Sequence, residues 1–204
     1  MSKRVLGRKF GWRGFQRTSL AACLMIGLLG LGACAPQGNS GAIATPAAPA
    51  VPVLKVTSEA FEAEGMIPVP YTCKGEGRSP ALSWDAPPPG TQSWVVRVED
   101  PDAPGKTFVH WVLYDLPPEI RQLPAALPAT PFLNEGGMQG KNDFGRYGYG
   151  APCPPSGTHR YVFQVYALDK FLDLAPGVSQ AEVTTAVEGH ILAQGSLVGK
   201  FGQR

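Results

Sequence analysis

Three histidines, two aspartates flanking one proline, and a loop rich in glycine and tyrosine are the parts of this 204-residue sequence equipped for chemistry. His159 and Tyr161 are two residues apart, so in an extended chain they share a face. An imidazole and a phenol placed this way can both donate hydrogen bonds to an oxyanion such as a phosphoryl group. They follow the run GRYGYGAPCPPSGT at 145–158, whose glycines allow backbone N–H groups to turn toward an anion. His110 stands between Val109 and Trp111, and a lone histidine in such apolar company is more often a satisfied core residue than a ligand. His190 reads as a surface or partly packed residue within a helix. Asp100-Pro101-Asp102-Ala103-Pro104 holds two carboxylates in a chain stiffened by two prolines. That box reads either as a turn in which Asp side chains cap the backbone or as part of a site. The sequence has no GxSxG, GxxxxGK[ST], HExxH, CxxC or GxGxxG.

The elements that must position these residues alternate with period two. Ser93–Asp100 puts Trp94, Val96, Val98 and Asp100 on one face, with Val95, Arg97 and Glu99 on the other. Phe108–Asp115 predicts a shared face for Phe108, His110, Val112 and Tyr114, and His159–Ala167 one for His159, Tyr161, Phe163 and Val165. Leu54–Thr57, Ala81–Trp84 and Leu197–Phe201 are shorter candidates. Turn clusters separate them at 74–77, 87–90, 101–105 and 154–157. Ser179-Gln180-Ala181-Glu182 has the spacing of a capping box, and Val183, Val187, Ile191 and Leu192 continue as a helical apolar stripe ending near Gly195. With 25 Gly and 21 Pro, turns must be frequent. The expected class is all-β, a sandwich of two mainly antiparallel sheets with one or two peripheral helices.

Hydrophobic residues make up 44% and charged residues 17%, which excludes a disordered chain. The net charge of +2 is carried by the N-terminus: residues 1–33 hold six basic residues and no acid. The remainder has 12 basic against 16 acidic residues, a net of −4, the wrong sign for nucleic-acid binding. Leu20 to Ala33 is an uncharged stretch of 14 residues, short of the about 18 that span a bilayer. With the basic residues before it, it reads as a signal peptide over 1–33. Leu31-Gly32-Ala33-Cys34 resembles a bacterial lipobox, so Cys34 is expected to become the lipidated N-terminus. Residues 34–52 then form the lipidated cysteine and an Ala/Pro/Gly-rich tether, and 53–204 the folded domain. Ala35 rather than Asp after the cysteine points to an envelope lipoprotein on the outer membrane facing the periplasm, if the cell is Gram-negative.

The run FEAEGMIPVPYTCKGEGRSPALSW at 61–84, the DPDAP box at 100–104, Val109-His110-Trp111 and Gly157-Thr158-His159-Arg160-Tyr161 occur here in one order. Together they resemble the phosphatidylethanolamine-binding protein family in its bacterial Raf-kinase-inhibitor-like branch. The resemblance implies a β-sandwich with a small pocket at one end for phosphate, acetate or a phosphoryl headgroup such as phosphoethanolamine. It implies a lining of Asp100, Asp102, His110, His159 and Tyr161, with backbone from Ala151, Pro152, Cys153, Pro154 and Pro155. No catalytic residue, metal or cofactor is implied. Function would be binding or inhibition, with a protease or kinase-like protein as possible partner; a hydrolase using the His/Asp pocket and a structural envelope component are the alternatives. Cys23 leaves with the signal and Cys34 takes lipid, while the resemblance brings the loops of Cys73 and Cys153 together in an oxidising compartment. A Cys73–Cys153 disulfide is the expectation, two separate thiols the alternative.

Overall fold

A computed structural model of the chain describes residues 51–202. The expected signal peptide, lipidated Cys34 and tether up to residue 50 lie outside the described residues. Eight strands and one α-helix follow in order: β1 Val56–Thr57, β2 Leu82–Trp84, β3 Ser93–Asp100, β4 Phe108–Leu116, β5 Gln122–Leu123, β6 Met138–Gln139, β7 Thr158–Leu168, α1 Gln180–Val187 and β8 Ile191–Gly202. They build a three-stranded sheet, β1-β2-β5, and a five-stranded sheet, β6-β4-β3-β7-β8, with every neighbouring pair antiparallel.

The alternating residues decide the layers. Trp94, Val96 and Val98 of β3, and Tyr161, Phe163 and Val165 of β7, are buried in one core with Val56, Leu82, Trp84 and Leu123 of the smaller sheet. Val95, Val112 and Tyr114 turn to the opposite face of the large sheet, where Val183 and Val187 of α1 cover them. The main core is therefore sheet against sheet, and the helix closes the outer layer.

Two expectations need correction. The helix stops at Val187 and does not take in His190, Ile191 or Leu192. Gly189, at φ 79°, turns the chain, and from Ile191 the same apolar residues pair with β7 over its whole length. Ladder hydrogen bonds and burial at a sheet outweigh the helical spacing there. His190 sits in that turn, with Nδ1 2.8 Å from Asp169 Oδ1. The face assigned to β4 is also wrong beyond His110. Val98 pairs with Trp111 but Glu99 pairs with Val109, so His110 is an extra residue in β4. This bulge puts Trp111 and Leu113 in the main core, and sends Val112 and Tyr114 to the helix side.

The chain enters along the outer edge of β8. Val53 bridges Gln194 in parallel, with Gln194 N–H donating to Pro52 O at 3.0 Å and Leu54 N–H donating to Gln194 O at 2.8 Å. A Cβ at Gly195 would collide with the Leu54 carbonyl, so this close approach requires glycine. Met66 bridges Lys200 farther along the same edge. Two backbone segments thus cover a strand edge that would otherwise be free to pair with another chain.

Candidate functional site

Asp100 ends β3, Phe108 and His110 begin β4, and His159 and Tyr161 begin β7, so antiparallel pairing gathers all five at one end of the large sheet. There they line a cavity of about 170 Å³ with Ala103, Pro104, Phe144, Cys153, Pro154 and Pro155. The β4 bulge is what brings His110 to Tyr161: their rings meet edge-on at 5.2 Å.

Each polar group is fixed from behind. His110 Nδ1 lies 2.6 Å from Gly150 O, so that nitrogen carries the proton and Nε2 is left for the cavity. Gly150 N–H returns a bond to His110 O at 2.7 Å. A side chain at position 150 would run into the Phe144 ring, so only glycine permits this two-point clamp. Burial holds the His110 imidazole below its ordinary 6.5, against the opposing effects of the Gly150 carbonyl and the Asp100 and Asp143 carboxylates. His159 Nδ1 lies 2.8 Å from Asp100 Oδ2, and Asp100 Oδ1 accepts from Asp102 N–H at 2.9 Å. Asp100 is 3% exposed, so its charge is spent on orienting His159 and on closing the DPDAP turn. The box thus closes a turn and also places Asp100 against His159.

Tyr161 is fully buried, and its hydroxyl has no hydrogen-bond partner among the described residues. Asp100 and the Cys153 backbone N–H lie close to it, the carboxylate disfavouring the phenolate and the N–H favouring it, and neither meets the hydroxyl with hydrogen-bond geometry. Burial first, then that carboxylate, push the hydroxyl well above the ordinary tyrosine range, so it stays a neutral donor. Phe144 packs edge-on against both Phe108 and His110 at the cavity, with Phe108 and Phe144 centroids 4.8 Å apart.

Three residues expected at the pocket lie off its lining. Asp102 faces outward and grips Arg160: Oδ2 accepts from Arg160 N and Nε at 2.9 Å each, and Oδ1 from Nη2 at 2.6 Å. Those Arg160 bonds hold its carboxyl at about 2. Asp102 is therefore a brace beside His159. Ala151 lines an adjoining groove, and the Pro152 carbonyl accepts from Cys73 N–H at 3.1 Å. The Cys73–Cys153 disulfide is formed, with Cα atoms 5.4 Å apart, and ties the 149–155 loop to the 69–75 segment.

The sequence reading omitted Phe108, Phe144 and Asn142. Asn142, buried, organises the loop. Its Oδ1 accepts from Phe144 N–H at 3.0 Å and Arg146 N–H at 3.3 Å, and its Nδ2 donates to Gly148 O at 2.9 Å. Asn142-Asp143 ahead of a glycine is an Asx-turn signal that could have marked it. Among the described residues, no group of three or more His, Cys, Asp and Glu is placed to hold a metal ion.

The sequence model of the phosphatidylethanolamine-binding protein family matches residues 57–202. A UPF0098 protein of Methanothermobacter thermautotrophicus is 46% identical over 148 residues, covering 72% of this chain and 98% of the relative. The crystal structure of a phosphatidylethanolamine-binding protein homologue from Chlamydia trachomatis superposes with a TM-score of 0.69 at 36% identity, over 74% of this chain and 99% of the other. YbcL of Escherichia coli, described as a member of the mammalian PEBP family, gives a TM-score of 0.69 at 31% identity with the same coverage. The matched span begins in β1, ends with β8, and contains every residue that lines the cavity: the chain belongs to the phosphatidylethanolamine-binding protein family.

Proposed function

We propose that this chain is a lipid-anchored envelope protein whose cavity binds a small oxyanion or phosphoryl headgroup without reacting with it. The observation that carries the reading is the buried Tyr161 hydroxyl with no partner, in a cavity that also receives the unbonded sides of His110 and His159. A buried polar group left unpaired costs roughly 1–3 kcal/mol, and a ligand oxygen accepting from it would recover that cost. His159, whose Nδ1 is held by Asp100, turns Nε2 to the cavity, and that nitrogen donates to a ligand oxygen when the ring is an imidazolium and accepts from a protonated one when it is neutral. His110, neutral with its proton on Nδ1, accepts from a protonated phosphate oxygen or, once protonated itself, donates. Membership of a family of binding proteins supports the reading.

The Asp100–His159 pair resembles the orienting half of a hydrolytic site. Among the described residues no Ser, Thr or free thiol lines the cavity, since Cys153 is in the disulfide, and Tyr161 is held as the neutral phenol. The arrangement favours holding a ligand over attacking one. Inhibition of a protease or kinase-like partner would follow if such a protein presented a phosphoryl or carboxylate group to the cavity.

Calorimetry with inorganic phosphate and phosphoethanolamine tests the reading. Binding is expected in the intact protein and is expected to weaken in His110→Ala and in His159→Ala. Unchanged affinity in both variants, or turnover across a phosphomonoester panel that His159→Ala abolishes, would overturn it.

A further inference from the structure

The cavity is not the only hollow at this end of the molecule. A groove of about 560 Å³ adjoins it, and Phe144 and Cys153 line both. Arg146 also lines the groove, its guanidinium over the Phe144 ring at 5.1 Å from the centroid. Arg146 makes no salt bridge among the described residues, and Glu76, the groove's carboxylate, is paired with Arg78 at 3.7 Å. The nearest acid in sequence, Asp143, is engaged by Lys106 at 3.4 Å and by Val109 N–H at 2.9 Å. Arg146 is nonetheless held in place. Its N–H donates to Asn142 Oδ1, its carbonyl accepts from Asn142 N–H at 3.0 Å, and its side chain lies against an aromatic ring.

We propose that Arg146 forms a second anion subsite, so that the ligand is bipartite: an oxyanion in the cavity and a carboxylate in the groove. The proposal rests on the cavity reading above. The spacing limits the ligand. The His110 ring lies 5.6 Å from the Phe144 ring and the Arg146 guanidinium 5.1 Å from that same ring, so imidazole and guanidinium are no farther apart than these two steps together. A phosphomonoester with a carboxylate a few bonds from phosphorus spans those two steps; a long chain is not needed. The unpaired Tyr161 hydroxyl marks the cavity end of this path, and the uncompensated guanidinium marks the other. Arginine suits the second end because its planar fork takes a carboxylate bidentately.

The test compares ethyl phosphate, phosphoglycolate and the phosphoglycolate homologue with one more methylene, by calorimetry on the intact protein at one ionic strength. The carboxylate-bearing esters are expected to bind about threefold to tenfold more tightly than ethyl phosphate, as an accessible charge-assisted contact allows. Arg146→Gln is expected to erase that advantage while leaving inorganic phosphate affinity unchanged, and Arg146→Lys to restore part of it. The Asn142 contacts are to the Arg146 backbone, so thermal melts of these variants should match the parent. Equal binding of all three esters, or an advantage that survives Arg146→Gln, overturns the subsite and leaves the cavity reading standing. Failure of inorganic phosphate itself to bind refutes the cavity reading, and the subsite with it.

Discussion

Tyr161 shows how a residue can be placed for a ligand at a cost to the fold. Its ring belongs to the main core, while its hydroxyl finds no acceptor. Tyr161→Phe should therefore stabilise the unliganded protein by about 1 kcal/mol and weaken phosphate binding by ~0.5–1.5 kcal/mol, two readings that chemical denaturation and calorimetry separate. A loss of stability would mean that the hydroxyl is already satisfied. His110 carries a pH dependence. Its folded pKa lies below the ordinary 6.5 because of burial, so below 6.5 the unfolded chain binds more protons than the native one. Stability from keeping this ring neutral is present above 6.5 and is lost as pH falls below it. Anion binding has the opposite sign, because an anion in the cavity favours the imidazolium and binding takes up a proton. The groups facing this ring are the Gly150 carbonyl, Asp100, Asp143 and His159. Affinity for sulfate, whose charge is constant over this range, should rise from pH 8 to pH 5.5 and lose part of that slope in His110→Gln. A flat profile in the parent protein would contradict this assignment.

At the scale of elements, what the sequence made legible was what alternation encodes. β3 was bounded at both ends, β4 and β7 to within a residue at each end, and the capping box of α1 is present, with Glu182 Oε2 accepting from Ser179 N–H at 2.8 Å. Alternation cannot announce its own interruption. The bulge that gives His110 its direction leaves no local mark, since it arises from the register of β4 against β3. For the same reason the apolar run after Gly189 could be read as helix, because a period of 3.6 and a buried strand agree over two or three residues. β5 and β6, two residues each, are too short to show any period. At the site, Asp100, His110, His159 and Tyr161 were legible through motifs. Asp102 was misplaced because the motif records its neighbour, and only the fold reveals its engagement with Arg160. The disulfide belongs to this scale too. It closes an 80-residue separation, for which chain entropy gives at most roughly 4–5 kcal/mol. Cys73→Ser should lower stability by about 2–4 kcal/mol and weaken phosphate binding, because Cys153 lines the cavity and its loop includes Gly150, the partner of His110. A variant that is destabilised but binds as before would show that the loop holds its shape without the bridge.

The whole molecule joins a folded domain to a basic, apolar N-terminus. No helix among the described residues is long and apolar enough to cross a membrane; the proposed attachment is at Cys34. Cys34→Ser should move the protein from the membrane fraction to the soluble one, or leave it uncleaved; normal processing with membrane retention would refute the anchor. The place where the chain joins β8 then acquires a further meaning. Pro52–Leu54 runs parallel to β8 at Gln194, while the cavity lies at the far end of that strand, where Phe201 pairs with His159. At about 3.3 Å per residue the two are roughly 20 Å apart along the strand. Residue 53 and the cavity thus lie toward opposite ends of β8. A ligand arriving at one end of β8 and the backbone that joins its edge at the other do not compete for the same surface.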